Sequence, residues 1–529
     1  MATNNTDKVA YTNDQSPTYT GTDNVSYSND EAMAEKAIKN KDSDSSSGNA
    51  ENLENTVAPE YPELEYVDKA VERAVLRKLD YRIVPMIMWC YLMNMMDRVN
   101  IGNARIFDME KDLNLQPNQF QMAVSLLFVT YCLFEAPSNM IIKKMKPARY
   151  LAGLTIVWGF IATFSAFVKN FGQLVACRLL LGLFEAGFFP GVVLYLSMFY
   201  GRRSLALRIA YFYSTAALSG LAGGLVAYGI GHIHGYAGWS AWRWIILING
   251  LPTIVTGAII PFVLPNSPET AKFLTVEDRA NLEKIHNVQL GRARNLRHME
   301  KPDVIAAVKD WTTWAYCFAL FPLLTMLYSF VVFLPTIIDG MGEWSRTEVQ
   351  AMTVPVYAFG AIVYITCARF SDLTQQRGLF IIGSIVASMV GYGMLLANAG
   401  TAVSYAGCFF VVIGIFTGAG ISFAWVPTNN PRYGKRAFST GMHLTIGNSS
   451  GVASPFLFSG THAPRFVPGY SASIGLLFFS LCLNLILHLH FKRQNKLRDQ
   501  GKFDHLMEGK TDVEIEAMGE TSPRFRFAV

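Results

Sequence analysis

IVPMIMWCYLMNMMDRVNIGNARI, residues 83–106, is the stretch on which the fold turns. Its first eleven residues read as a membrane helix, and the rest places Asp97 beside Arg98 and adds Asn94, Asn100, Asn103 and Arg105. At about 1.5 Å per residue, Asp97 stands roughly 21 Å beyond Ile83, inside a hydrocarbon layer about 30 Å thick. A charge at the centre of an inserted helix costs roughly 2.5–3.5 kcal/mol. Opposite charges nearby reduce that cost without turning the pair into a source of stability. Asn94 falls one turn from Asp97 and Arg98, so the polar groups share a face expected to look into a helix bundle, not into lipid.

The rest of the chain agrees. It has 529 residues, 51% hydrophobic and only 16% charged, with a positive mean hydropathy. A soluble chain of this length would divide into domains with charged surfaces. Here the apolar residues fall in blocks of roughly 20, the length that crosses a bilayer. Twelve such blocks lie near 83–106, 119–142, 148–168, 173–197, 205–230, 242–264, 310–337, 348–369, 378–397, 402–425, 437–459 and 470–491. The reading is an all-α membrane protein with twelve transmembrane helices. It has a disordered tail over 1–75, a six-helix bundle over 76–264, a polar linker over 265–309, a second bundle over 310–492 and a tail over 493–529. Residues 1–60 are rich in Asn, Ser, Asp and Thr, a composition that cannot bury a core. No basic stretch followed by an apolar core stands near Met1, so the first span is expected to act as the insertion signal.

Basic residues set the expected orientation. Lys143, Lys144, Lys146 and Arg149 fall in one set of alternate loops, with Arg202, Arg203 and Arg208, the central linker, Arg369 and Arg377, Arg432, Lys435 and Arg436, and Lys492, Arg493, Lys496 and Arg498. The opposite loops hold little beyond Lys111, Lys169, Arg346 and Arg465. Both termini and the linker are therefore expected in the cytoplasm, with the sequons at Asn4 and Asn24 on the wrong side for glycosylation. The net charge of +5 belongs to these flanks and does not indicate nucleic-acid binding. All seven cysteines lie within apolar blocks, none in CxxC spacing, and read as packing residues; neither disulfides nor metal ligands are expected.

A second charged constellation occupies the fourth block, RLLLGLFEAGFFPG (178–191), whose only charges are Arg178 and Glu185. Seven residues are two turns, so both share one face about 10.5 Å apart. Gly182 lies between them and leaves room for a cavity suited to a small ionic ligand. Each constellation also reads as an ion pair that only fixes helix packing. Small residues at four-residue spacing, Gly220 with Gly224, Gly414 with Gly418 and Gly447 with Gly451, permit close helix approach.

Six spans, a basic linker and six more resemble the architecture of the major facilitator superfamily. SNMIIKKMKPAR (138–149) and ARFSDLTQQR (368–377) resemble its loop motif of Gly, an acid four residues on, then basic residues. The second copy keeps the acid as Asp372, whereas the first has Lys143 there. DRVNIGNA (97–104), RLLLGLFEAGFFPG, GWSAWRWIILINGLP (238–252) and LPNSPETAKFLT (264–275) together resemble the anion:cation symporter family, in its fungal allantoate, nicotinate and pantothenate permease branch. The resemblance covers roughly residues 75–500. It implies proton coupling through Asp97 and Glu185, and substrate binding or pairing with those acids by Arg98 and Arg178. It also implies a hydrogen bond to substrate from Asn448. No cofactor is implied.

The remaining polar residues weigh less. Glu135 is expected to gate or pack, Tyr131 and Tyr328 to pack or line the cavity, and Asn429 and Asn430 to cap or bend the chain. His232, His234, His488 and His490 are expected to be solvated. An ATP-driven pump is excluded: the phosphate loop that would end at GKT (509–511) needs Gly where Asp504 stands. Nine scattered histidines supply no membrane metal centre. The expectation is a monomeric carrier in the plasma membrane that moves a small organic anion with a proton. Its cargo would be a vitamin such as nicotinate or pantothenate, or an acid such as allantoate. A sensor of the same fold, or an exporter of organic anions, remains the alternative.

Overall fold

The computed structural model describes residues 67–529, apart from 143–144, 201, 234, 291–300, 459–464, 512–513 and 516–517. The expected tail up to residue 66, with Asn4 and Asn24, lies outside the described residues, as do Lys143, Lys144 and His234. The first half comprises α1 (Lys69–Ile106), α2 (Gln119–Ile142), α3 (Pro147–Phe164), α4 (Phe171–Glu185), α5 (Phe188–Phe199), α6 (Arg202–Gly231) and α7 (Ala241–Val263). Two connecting helices follow, α8 (Val276–Leu290) and α9 (Lys301–Lys309). The second half comprises α10 (Trp311–Asp339), α11 (Arg346–Thr374), α12 (Arg377–Ala397), α13 (Thr401–Asn429), α14 (Tyr433–Ala453) and α15 (Val467–Asp499).

Several boundaries differ from the expectation. Residues 69–75, expected in the disordered tail, are already helical, because Asp68 caps α1 by accepting from Ala70 N at 3.0 Å. The fourth span breaks into α4 and α5. Pro190 falls in the first turn of α5, where backbone N–H groups have no helical partner in any case. The polar linker holds two helices, and α15 runs on to Asp499. Among the described residues, nine helical segments are long and apolar enough to cross a membrane, α4 and α5 counting as one. The helices α1, of 38 residues, and α14, of 21, are also long enough to cross but are more polar, and α2 contributes a shorter apolar stretch over Gln119–Glu135.

Close approach between helices organises the two halves, which meet along α1–α10, α6–α11 and α2–α14. A side chain at Gly102 of α1 would run into the Val332 carbonyl of α10. Gly220 and Gly224 of α6 lie against Tyr357 and Thr353 of α11, and Gly451 of α14 lies against the Phe128 ring of α2. The glycine spacing in α6 thus serves the interface between halves, where backbone proximity replaces the missing hydrophobic drive for association in lipid.

Contacts between connections define two faces. On the near face, which carries the start of α1 and the end of α15, Lys78 pairs with Asp278 of α8 at 2.7 Å, Arg208 with Asp80 at 2.6 Å, and Arg432 with Asp303 of α9 at 2.7 Å. Asp372, the acid of the second loop motif, pairs with Arg377 at 3.1 Å. On the far face, Trp242 Nε1 donates to Asp112 at 2.8 Å, and Asp108 forms ion pairs with Lys111 and with Arg346 of α11. The last of these joins the halves, so together with the glycine contacts it closes the far face.

Partial burial of Asp108 acts to raise its pKa, but hydrogen bonds from Lys111 and Arg346 outweigh it and hold the carboxyl below the ordinary aspartate value. A depressed pKa means the closing contact is fully present above about pH 4, the ordinary aspartate value, and fades as pH falls through the lowered one. Asp108→Asn is therefore expected to loosen the far face at neutral pH. A single cysteine placed in the α6–α11 seam should then react faster with a water-soluble maleimide, and an unchanged rate would dismiss the ion pair as a gate.

Candidate functional site

Adjacent residues on a helix diverge by about 100°, so Arg98 does not face its neighbour Asp97. Instead Arg98 Nε meets Glu185 Oε1 of α4 at 2.6 Å, with both side chains buried. This corrects the reading of Asp97–Arg98 as a pair. Asp97 Oδ2 accepts from Trp158 Nε1 of α3 at 3.2 Å. Arg178, 4% exposed, has no acid within ion-pair distance among the described residues, and its Nε lacks a hydrogen-bond partner. The carboxylates acting on it electrostatically are Asp97 and Glu185. The four charges thus divide unevenly: one tight pair, one carboxylate held by an indole, and one arginine held only at a distance.

Aromatic rings surround the Arg98 guanidinium. It lies 4.7 Å from the Tyr131 ring centroid, 5.5 Å from that of Phe128 and 6.0 Å from that of Tyr328. Ring faces attract a cation, most strongly where water is excluded. Phe128 and Tyr328 belong to different halves and touch at 4.6 Å between centroids. Tyr328 donates its hydroxyl to Asn448 Oδ1 of α14 at 2.8 Å, which ties the fifth predicted site residue to the same cluster. Nearby, Ser125 Oγ donates to the Val452 carbonyl at 2.7 Å and fastens α2 to α14. Glu135, further along α2, is buried, and its Oε2 has no partner.

A cavity of about 50 Å³ lies between the halves, bounded by Arg98, Arg178, Phe128, Ser219, Tyr328 and Phe416 among others. That is room for a few waters. Apart from the two arginines, Ser219 and the Tyr328 hydroxyl, its walls are apolar. The cavity is not where the sequence placed it. A side chain at Gly182 would meet the Leu127 carbonyl and Thr130 Oγ1 of α2, so that glycine admits a neighbouring backbone instead of a ligand. Thr130 Oγ1, donating to the Leu179 carbonyl at 2.9 Å, seals the same contact.

All five predicted residues gather in this region, but only Arg98 and Arg178 line the cavity; Asp97, Glu185 and Asn448 lie outside its lining. Trp158, Phe128, Ser219 and Phe416 were missed, since apolar or small residues inside apolar blocks carry no outward sign of the partner they will meet. Asn430 does cap α13, donating to the Val426 carbonyl at 2.9 Å, whereas Asn429 reaches further, to Tyr316 Oη at 2.9 Å. His488 was expected to be solvated but is buried, packed beside Gly378. His490 rests edge-on against Trp311, with centroids 4.9 Å apart.

Residues 87–491 match the family described as Major Facilitator Superfamily. The chain is 37% identical over 449 residues to an uncharacterised transporter of Schizosaccharomyces pombe, covering 84% of this chain and 89% of that one. It is 32% identical over 458 residues to the high-affinity nicotinic acid transporter of Saccharomyces cerevisiae, covering 86% and 85%. Among solved structures it is similar to a bacterial homologue of the human lysosomal transporter Spinster in an inward-facing and occupied conformation. The TM-score is 0.59 at 14% identity, with 79% of this chain and 97% of that chain covered.

The α2–α4 contact gives a direct test of the local packing. Gly182→Ala drives a methyl group into the Leu127 carbonyl, and overpacking of this kind costs about 1–3 kcal/mol. The purified variant is expected to melt several degrees below the parent, and an unchanged melting temperature would show that α2 and α4 are not held this closely.

Proposed function

Since the chain belongs to the major facilitator superfamily and is therefore a membrane transporter, we propose that it carries a small organic carboxylate together with a proton. One observation carries this reading: Arg178 is buried beside the cavity with an Nε that nothing in the described protein satisfies. A buried cation without a direct partner is costly even where distant carboxylates balance its charge. A carboxylate from outside the chain supplies what is missing, and the arginine fork matches its two oxygens.

Charge balance supports proton coupling. Asp97, Glu185, Arg98 and Arg178 sum to zero when ionised. A monoanion entering this buried group leaves it one negative charge in excess, which one proton on an acid removes. Asp97, without an ion pair, is the first candidate for that proton, and its neutralisation turns Arg178 wholly toward the cargo. Glu185 takes the same role through Arg98, whose release from the pair offers a second cation. Asn448, held by Tyr328, presents a polar group to the cargo once the halves part. Loading then allows the halves to rock about the midplane site.

The wall chemistry favours one type of cargo. Burying unsatisfied amide or ureido groups against apolar walls is costly, which argues for a carboxylate on an apolar or aromatic body. Nicotinate fits better than allantoate, and similarity to a nicotinic acid transporter points the same way. The basic near-face loops support a cytoplasmic near face, and we take the carrier to work as a monomer in the plasma membrane.

Labelled nicotinate uptake at two external pH values tests the scheme. The parent should accumulate the label faster at the more acidic pH. Arg178→Ala should weaken binding about 10- to 100-fold, the weight of a charge-assisted hydrogen bond. Arg178→Lys, which keeps the charge but loses the fork, should fall between. Asp97→Asn should still bind and exchange substrate while losing pH-driven accumulation. Parental binding in a well-inserted Arg178→Ala would remove this assignment, and binding without flux in the parent would identify a sensor.

A further inference from the structure

The last part of the chain after α15 folds back onto the near face of the second half, where Gly519, Ser522, Pro523 and Ala528 are buried. Trp425 Nε1 and Asn429 Nδ2, both on α13, donate to the Ala528 carbonyl at 2.8 and 3.0 Å, and Ala528 N returns a bond to Asn429 Oδ1 at 2.8 Å. Val529 N donates to the Gln375 carbonyl at 3.2 Å, and its own carbonyl accepts from Gly378 N at the start of α12 at 3.1 Å. Phe527 exchanges two bonds of 2.9 Å with Asn495 of α15, and its ring packs against Phe491, with centroids 4.7 Å apart. Arg498 caps the Phe525 carbonyl at 2.9 Å and the Glu520 carbonyl at 2.6 Å. Lys435, at the start of α14, binds Glu520 at 2.8 Å and Asp310 at 2.5 Å.

These contacts bracket a weak point. Pro427 sits inside α13 and has no N–H for the Phe423 carbonyl, so the last turns are softened there. Trp425 and Asn429 flank that proline, and both hold Ala528. The segment therefore acts as a splint across the soft turn and ties it to α12 through Gly378 and to α15 through Asn495, while Asn429 itself reaches Tyr316 of α10. Docking is open to competition from water, because a cavity of about 410 Å³ bounded by Tyr316, Asn429, Lys435, Arg498, Glu520 and Phe527 lies against it.

We propose that residues 519–529 are a releasable clasp that keeps the near-face end of α13 from bending and so sets the balance between the two access states. The far face is closed here while the clasp is docked. Opening the far face requires the near-face ends of the two halves to come together, which asks the end of α13 to move. Docking resists that movement and favours the far-face-closed state. Release makes far-face opening easier without touching the charged site.

The test reads conformation alone, independently of the cargo. Thr353→Cys is introduced into the purified full-length protein, where Thr353 is sealed between α6 and α11, and reaction with a water-soluble maleimide is timed against a parent bearing Thr353. Ala528→Pro removes the N–H given to Asn429, and Phe527→Ala removes the ring from Phe491 and Arg498. Each is expected to speed labelling of Cys at 353 roughly fivefold, the equilibrium weight of about one net hydrogen bond. Melting temperature, measured alongside, identifies any variant that has lost its fold, in which case the other is read. An unchanged or slower rate in the folded variants overturns the clasp.

Discussion

A charge in hydrocarbon must find its opposite, and here the opposite lies on another helix. The 2.6 Å contact between Arg98 and Glu185 joins α1 to α4 at the level of the cavity. Much else follows from that choice of partner. It leaves Asp97 to the Trp158 indole and Arg178 to distant fields, so the group is balanced in sum but unsatisfied at one member. Three aromatic rings crowd the Arg98 guanidinium, and they place residues of both halves against the same cation. A pair that is neutral, buried within the first half and ringed by residues of both halves can hold the bundle together while remaining sensitive to any added anion or proton.

The fold was legible from the sequence to a large degree because lipid imposes a single length on every span. Twelve apolar blocks and one long polar connection leave few arrangements, and Asp97, Arg98, Arg178 and Glu185 announced themselves as charges where charges are costly. What stayed hidden was pairing. Helix periodicity places Arg178 and Glu185 on one face but says nothing of which helix lies opposite. Gly182 accordingly read as an empty space, although it receives the backbone of α2. Trp158 gave no signal because an indole inside GLTIVWGF looks like any other apolar residue until its N–H finds Asp97. The segment over 519–529 was read as a tail because its partners, Trp425, Asn429 and Asn495, are dispersed over two helices and indistinguishable from capping or packing residues.

The two faces are held by different means. The far-face seam relies on glycines, with Gly102, Gly220 and Gly224 allowing α1 and α6 to lie directly on α10 and α11, plus one ion pair at the rim. Such contacts are short-ranged, so separation forfeits them together over a small displacement. The near face relies on charged pairs between helices and their connections, as in Lys78–Asp278, Arg432–Asp303 and Lys435–Asp310. Those fall off more gradually and stay within one half or between a half and the connecting segment. An abrupt seam on one side and compliant ties on the other suit two halves that rock as rigid bodies.

The distance along the chain between Arg98 and Glu185 also bears on how the protein is made. The two are 87 positions apart. At roughly 5–20 residues per second, the ribosome needs roughly 4 to 17 seconds to travel between them. Throughout that interval α1 holds an arginine at membrane depth whose counter-charge has not yet been synthesised. Until it is, Arg98 must snorkel toward headgroups. Arrival of α4 ends the delay, so the first helix is best retained at the insertion machinery until the fourth has entered. The order of biogenesis for the first half is thereby written into one buried contact.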